Sequence, residues 1–168
     1  LFIYKLLLMN KIETIIKETL SEYLNEGFSD EVQYKTETHE DGVKILAYYN
    51  NKKIGSITSE ILIEPYEYEF SEDMSEEEFY DIYSDGEIVK IEYLTVDDYY
   101  QGKGLATKLM NKLLDTMYQK GYKQYYLNAS PMGFRGLPLE KLVKFYKKFG
   151  FRKFLNQGNN VLMYMILN

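Results

Sequence analysis

The segment from Glu87 to Ala129 carries the strongest constraint on how this chain folds. It begins with EIVKIEYLTV and ends with YKQYYLNA, two runs rich in the β-branched and aromatic residues that favour strands. Between them lies a predicted amphipathic helix over residues 105–120, followed by Gly121 as a terminator. Its apolar face consists of Leu105, Leu109, Leu113 and Met117. A strand, a helix and a strand in this order predict one right-handed parallel crossover within the sheet.

The other elements predict an otherwise antiparallel sheet. A helix is indicated over residues 12–24, and residues 43–63 indicate a hairpin joined at residues 50–53. A further helix starts at Pro138 and is stopped by Gly150, and the final strand covers residues 161–168. At 168 residues the chain is predicted to be one α/β (α+β) domain over residues 1–168, with a mixed, mostly antiparallel sheet and helices on both faces.

Composition restricts the chemistry and suggests a compartment. With no cysteine and a single histidine, His39, the chain has no thiolate nucleophile, no disulfide and no His-based zinc site, so no metal is expected. A reducing cytoplasm is the expected location. The apolar residues 1–9, LFIYKLLLM, are too few to span a bilayer. We interpret Met9 as a candidate start and the residues before it as an N-terminal extension.

The net charge of −6 conceals two regions of opposite sign. Residues 64–87 hold 11 acidic side chains and no basic one, and we interpret them as an acidic insertion. Within it, Ser75 and Glu78 form a capping box for a short helix that ends near Tyr83. Residues 103–153 hold 12 Lys and Arg against two acidic residues, which makes the C-terminal third cationic.

A glycine-containing turn precedes the helix predicted at 105–120. A helix N-terminus presents N–H groups that lack intrahelical partners, and Gly102 and Gly104 remove the Cβ atoms that would keep an anion away from them. Residues 101–107 are therefore predicted to wrap a pyrophosphate. The alternative is a tight strand-to-helix turn without a ligand. The spacing is neither that of an ATP-binding loop nor that of a dinucleotide fingerprint.

Three stretches of the sequence resemble the motifs of GNAT-type N-acetyltransferases, and along the chain they fall in the order expected of that family. VDDYYQGKGLATKLM resembles their acetyl-CoA motif Q/R-x-x-G-x-G/A, which Gln101, Gly104 and Ala106 satisfy. IEYLTV resembles the fourth strand of that family, and LVKFYKKFGF resembles its FY-x-x-x-GF motif. The resemblance covers residues 87–168 well and the first 86 only in outline. The acidic insertion and the segment SPMGFRGLP depart from the family, so they leave the acceptor open.

The resemblance implies a set of site residues. Glu92 would accept a proton from the amine through water, and Tyr146 would protonate the coenzyme A thiolate. The alternatives are a solvent-facing strand position for Glu92 and core packing for Tyr146. Coenzyme contacts are expected from two strands and the turn, at Leu94, Val96, Gln101, Gly102, Lys103, Gly104, Leu105, Ala106, Thr107 and Asn128. Lys108 is a further candidate for the phosphates.

The implied partners are acetyl-CoA as co-substrate and an amine acceptor. The acidic insertion is expected to stand beside the acceptor entrance and favour a cationic amine, with a solubilising surface loop as the alternative. Two other functions remain open: an acyl-CoA-binding regulator without turnover, and a nucleic-acid-binding module, which the overall acidity disfavours. No membrane partner is expected, and a homodimer is left open.

Overall fold

A computed structural model describes residues 31–62, 86–131 and 136–167 of the chain. Within these residues, seven strands form a single sheet in the spatial order β1-β2-β3-β4-β5-β7-β6. Their bounds are β1 Gln33–His39, β2 Gly42–Tyr49, β3 Lys52–Leu62, β4 Ile88–Val96, β5 Gln124–Ala129, β6 Arg152–Gln157 and β7 Asn160–Ile166. The helix predicted at 12–24, the N-terminal extension and all but the last two residues of the acidic insertion lie outside the described residues.

Two helices connect strands within the described part of the chain. Helix α1, Leu105–Gln119, joins β4 to β5, and helix α2, Leu139–Lys147, lies between β5 and β6. β4 and β5 are parallel, and every other pair of neighbouring strands is antiparallel. The predicted mixed sheet with one strand-helix-strand crossover is therefore confirmed.

The structure adds two strands that the sequence did not indicate, β1 and β6. β1 reads QYKTETH and β6 reads RKFLNQ, and most of their side chains are polar and exposed. Both lie at the edges of the described sheet, where a strand needs little apolar surface. The predicted hairpin is confirmed with a tighter turn, since only Asn50 and Asn51 lie between its strands. Both asparagines have positive φ, 48° and 61°, as a two-residue hairpin turn requires.

Helix α1 packs closely against the middle of the sheet because Gly55 of β3 has no side chain. A Cβ at Gly55 would lie 3.3 Å from the side chains of both Leu105 and Leu109. The residues paired with Gly55 are Ala47 of β2 and Val96 of β4, so α1 covers all three strands on one side, which we call the helix face. The predicted apolar positions of α1 are all buried.

Helix α2 joins the same hydrophobic core further along the sheet. Its buried Val143 belongs to the cluster that holds Leu127 of β5 and Met163 of β7. Both described helices therefore lie on the helix face. The helix predicted at 12–24, which would supply the opposite side, is outside the described residues. We call that opposite side, which carries Lys44, Thr58 and Lys90, the far face.

β4 has the acidic insertion at one end and the glycine-containing turn at the other. At one end Ile88 pairs with Leu62, so the acidic insertion leaves and re-enters the sheet there. At the other end Val96 pairs with Gly55, and the glycine-containing turn follows. The strand has nine residues, which separates the two ends by about 27 Å.

Candidate functional site

A gap opens in the sheet where β4 and β5 part. Their pairing begins at Val89–Tyr125 and stops at Ile91–Leu127, although β4 continues to Val96 and β5 to Ala129. The two strands part next to a β-bulge in the pairing of β4 with β3. Residues 91 and 93 pair with consecutive residues of β3, so Glu92 between them has no partner on that strand.

The backbone of β4 beyond the bulge turns every second residue toward this gap. The Asp97 N–H donates to the Ile54 carbonyl at 2.9 Å, and the Tyr93 carbonyl accepts from the Thr58 hydroxyl at 3.5 Å, so positions 93 and 97 face β3. Because backbone groups alternate along a strand, Leu94 and Val96 present theirs to the gap. No strand in the described part of the chain pairs with that edge. The edge can therefore bind a ligand that carries amides of its own.

The turn after β4 is braced by side chains. Asp97 Oδ1 accepts a hydrogen bond from the Tyr99 N–H at 3.1 Å and caps a short 3₁₀ helix, Asp98–Tyr100. Gln101 Nε2 donates to the Val96 carbonyl at 3.3 Å and to Asp98 Oδ1 at 3.0 Å. The predicted coenzyme residue Gln101 thus ties the end of β4 to the turn, and its amide nitrogen is engaged within the protein.

The two glycines of the turn have the conformation and the space expected of an anion site. Gly102 and Gly104 both have φ of +76°, and no described atom lies within 4 Å of the Cβ that either residue lacks. The first helical hydrogen bond runs from the Lys108 N–H to the Gly104 carbonyl, and no side chain of the described residues caps the helix. The N–H groups of residues 105–107, predicted as Leu105, Ala106 and Thr107, therefore have no partner within the helix.

Positive charge lies beside this helix terminus. Lys103 Nζ is 4.8 Å from the centroid of the Tyr99 ring and 5.5 Å from that of Tyr100. Lys108 is half-buried on α1, and the first turn of α1 contains no acidic residue. Together with the helix dipole, these groups favour binding of an anion such as a pyrophosphate.

Glu92 is exposed on the far face, at the mouth of the gap. Lys90 Nζ lies 3.7 Å from Glu92 Oε1 and 3.9 Å from Glu60 Oε2. Asn128 would be the next partner of Glu92 if the pairing of β4 and β5 continued, and it is also exposed. The two predicted residues therefore stand on opposite sides of the mouth.

Sequence reasoning missed the surroundings of Glu92. It lines a small open cleft of about 140 Å³ together with His39, Asp41, Lys44 and Glu60, which come from β1, β2, β3 and the turn between β1 and β2. His39, the chain's single histidine, ends β1 and lies in this cleft. The pairing of β1 with β2 brings His39 there. Because the sequence does not predict β1, nothing in the sequence indicates that His39 lies in this cleft.

Tyr146 is half-buried on α2. Its ring centroid is 5.2 Å from that of Phe145 and 6.2 Å from that of Phe151, in edge-to-face geometry, so the ring packs against the core. Burial raises the pKa of the Tyr146 hydroxyl above its ordinary value, so the group keeps its proton at neutral pH. Helix α2 lies on the helix face and Glu92 on the far face. A substrate that contacts both must enter the gap between β4 and β5.

The described residues contain neither a membrane-spanning helix nor a cluster of metal ligands. None of the helices there has the length and apolar character needed to cross a membrane. Within residues 31–62, 86–131 and 136–167, no group of three His, Asp or Glu side chains is arranged to hold a metal ion.

Comparisons with known proteins agree with this geometry. The structure is similar to Arabidopsis thaliana Naa50 in complex with the bisubstrate analogue CoA-Ac-MVNAL, with a TM-score of 0.50 and 22% identity over 74% of this chain and 72% of that one. It is also similar to a GNAT family acetyltransferase from Elizabethkingia anophelis with acetyl-CoA bound, with a TM-score of 0.53 and 15% identity over 82% and 99% of the two chains. No curated protein matches the sequence.

A third similar structure is Arabidopsis thaliana NAA60 in complex with a bisubstrate analogue, with a TM-score of 0.51 and 21% identity over 78% of this chain and 79% of that one. Identities this low establish the fold alone. The sequence itself supplies the family, because residues 9–151 match the model of the Acetyltransferase (GNAT) family. This chain therefore belongs to the GNAT acetyltransferase family.

Proposed function

We propose that this protein is an acetyl-CoA-dependent N-acetyltransferase that moves an acetyl group to a primary amine by direct attack in a ternary complex. The observation that carries the proposal is the continuous path formed by the open edge of β4 at Leu94 and Val96 and the uncapped N-terminus of α1. The path offers backbone groups to an amide-bearing arm at one end and to a pyrophosphate at the other.

The coenzyme fits this path in one direction. The pantetheine arm would bond to the backbone of Leu94 and to the Val96 N–H, because Gln101 already occupies the Val96 carbonyl. The pyrophosphate would lie on the glycine turn and the N–H groups of residues 105–107, with Lys103 and Lys108 balancing its charge. The thioester then lies near the mouth of the gap, between Glu92 and Asn128. Relatives of similar fold bind acetyl-CoA or coenzyme A.

The chain's own residues supply the proton transfers that acetyl transfer needs. Glu92, through a water molecule, takes a proton from the acceptor ammonium, and the neutral amine attacks the thioester carbonyl. The C–N bond forms and the C–S bond breaks, and Tyr146 donates its proton to the departing thiolate. The nitrogen, which is cationic after attack, gives its second proton through water to the Tyr146 phenolate, so the amide is neutral and Tyr146 regains its hydroxyl. No covalent enzyme intermediate is required, which suits a chain without cysteine.

A cationic acceptor is favoured by charge. The cleft beside Glu92 also contains the carboxylates of Asp41 and Glu60, and the acidic insertion joins the sheet at the end of β4 remote from the glycine turn. The coenzyme enters at one end of β4, so an amine that approaches from the other meets predominantly negative charge. Polyamines, aminoglycoside-like amines and basic peptides are the proposed classes.

Mass spectrometry after incubation with acetyl-CoA and a panel of amines, peptides and polyamines tests the proposal. A mass gain of one acetyl group on an amine, dependent on the protein, supports it. Coenzyme A binding without transfer to any member of the panel would favour a non-catalytic acyl-CoA-binding regulator. Salt-sensitive retention on DNA without coenzyme binding would favour a nucleic-acid-binding module.

A further inference from the structure

The carboxylate of Glu92 is not held in place by the pairing of its own strand. Side chains on a regular strand alternate between the two faces, but the bulge places both Glu92 and Tyr93 on the far face. Glu92 is the residue that the bulge leaves without a partner on β3, so it lacks the cross-strand neighbour on β3 that would limit its side chain. The position of its carboxylate therefore depends on contacts of the side chain itself.

Among the described residues, the ion-pair partner of the Glu92 carboxylate is Lys90. Lys90 lies two residues earlier on the same strand, so the two side chains share the far face. Its Nζ is 3.7 Å from Glu92 Oε1. Only 28% of the Lys90 side chain and 31% of the Glu92 side chain are exposed, so neighbouring atoms shield the pair from part of the solvent.

The Lys90 ammonium is itself held from a second side. Glu60 is the residue of β3 that pairs with Lys90, and Glu60 Oε2 lies 3.9 Å from Lys90 Nζ. Opposite charges that face each other across an antiparallel pair attract and limit the conformations of both side chains. The ammonium therefore connects the bulged residue Glu92 to the regularly paired part of the sheet.

We propose that Lys90 is a positioning residue for acetyl transfer: its ammonium, anchored on Glu60, holds the Glu92 carboxylate at the mouth of the gap. This rests on the proposed function, in which Glu92 takes a proton from the acceptor ammonium through water. A base must stay within reach of that proton, and a glutamate side chain without a partner samples several rotamers. Lys90 raises the fraction of time that the carboxylate is in place and acts only through Glu92.

A double-mutant cycle on the full chain tests this role. The measured quantity is kcat at neutral pH with acetyl-CoA and the amine of the panel that the parent acetylates fastest, with spermidine as the first probe. Lys90→Met removes the charge, and we expect it to lower kcat about threefold to fivefold without changing the KM for acetyl-CoA. In a Glu92→Gln background the same substitution should leave kcat unchanged, because no carboxylate remains to be held. Lys90→Arg should restore most of the parent's kcat.

Lys35→Met is the matched control. Lys35 Nζ lies 2.8 Å from the carboxylate of Glu37, two residues further along β1, so this substitution breaks the same kind of ion pair. β1 lies three strands away from β4 in the sheet, at about 14 Å. The control should keep the parent's kcat, and urea unfolding of every variant separates a loss of stability from a loss of rate.

Three outcomes would overturn the positioning role and leave the proposed function standing. They are the parent's kcat in Lys90→Met, an equal loss of kcat from Lys90→Met with and without Glu92→Gln, and a Lys90→Arg variant as slow as Lys90→Met. If Glu92→Gln alone keeps the parent's kcat, Glu92 is not the base and the role of Lys90 falls with it. If the parent acetylates no amine of the panel, the proposed function itself fails.

Discussion

Replacement of Gly104 by valine should affect two measurable quantities by different amounts: stability, through backbone strain, and affinity for the coenzyme, through the loss of its binding site. Gly104 has φ of +76°, where a residue with a side chain pays about 1–2 kcal/mol, and a β-branched residue is the least tolerated. No described atom lies within 4 Å of the added Cβ, so no clash with the described part of the protein adds to that cost. We expect the variant to fold with its stability lowered by about that amount.

The loss of coenzyme affinity should exceed the loss of stability. The valine methyl groups would occupy the space from which a phosphate reaches the N–H groups at the start of α1. Loss of two hydrogen bonds to a charged phosphate, at about 1.5 kcal/mol each, costs about 3 kcal/mol, or a factor of about 100 in Kd. Isothermal titration calorimetry with acetyl-CoA measures this directly, with urea unfolding on the same samples to measure stability.

Gly121→Val provides the control. Gly121 follows the other end of α1 with φ of +98°, and no described atom lies within 4 Å of its missing Cβ. It should lose a similar amount of stability and keep the parent's acetyl-CoA affinity. A folded Gly104→Val variant with the parent's Kd would refute the assignment of the pyrophosphate to this turn. Equal loss of affinity in both variants would show that strain at α1, and not the missing space, is responsible.

Three further perturbations test the chemistry and the acceptor. Tyr146→Phe should lower kcat about 100-fold with little change in the KM for acetyl-CoA. Burial raises the pKa of Tyr146, so the parent's rate should decline where this proton is lost at alkaline pH, and the variant should lack that decline. Equal kinetics would leave Tyr146 as a core residue. Glu92→Gln should lower kcat most at neutral pH, where the amine is protonated, and less at alkaline pH; a uniform loss would argue against a base. Replacing three glutamates of the acidic insertion by Gln at once, at Glu76, Glu77 and Glu78, should raise the KM of a cationic amine and weaken the salt dependence of that KM. Unchanged acceptor kinetics at low and high salt would indicate that the insertion is only a surface loop.

The central crossover was predictable because its signals are local and agree with one another. Leu105, Leu109 and Met117 recur at helical spacing, and glycines flank the helix on both sides. The hairpin was predictable for a similar reason, although its turn holds only Asn50 and Asn51. β1 and β6 were missed because an edge strand buries little apolar surface, so its sequence does not need regular alternation.

The geometry of the site was only partly predictable. The sequence predicts Gly104 just before a helix and Tyr146 within one, and both lie there. It did not reveal the bulge at Glu92, which depends on how β4 pairs with β3. Nor did it reveal that β4 and β5 part after Ile91, a property of two strands that 27 residues of chain, 97–123, separate. His39 reaches the cleft beside Glu92 only because β1 pairs with β2.

The most direct test of the coenzyme path is amide NMR during a titration with coenzyme A. Backbone N–H groups of Leu94 and Val96, which face the gap, should shift strongly and exchange more slowly with solvent, as should those of residues 104–107. Thr95 lies between them on β4 but turns its backbone groups toward β3, so its hydrogen exchange should change little. Saturable shifts of Leu94, Val96 and residues 104–107 would support the path along β4. Coenzyme binding that leaves those amides unshifted and perturbs other parts of the chain would contradict it.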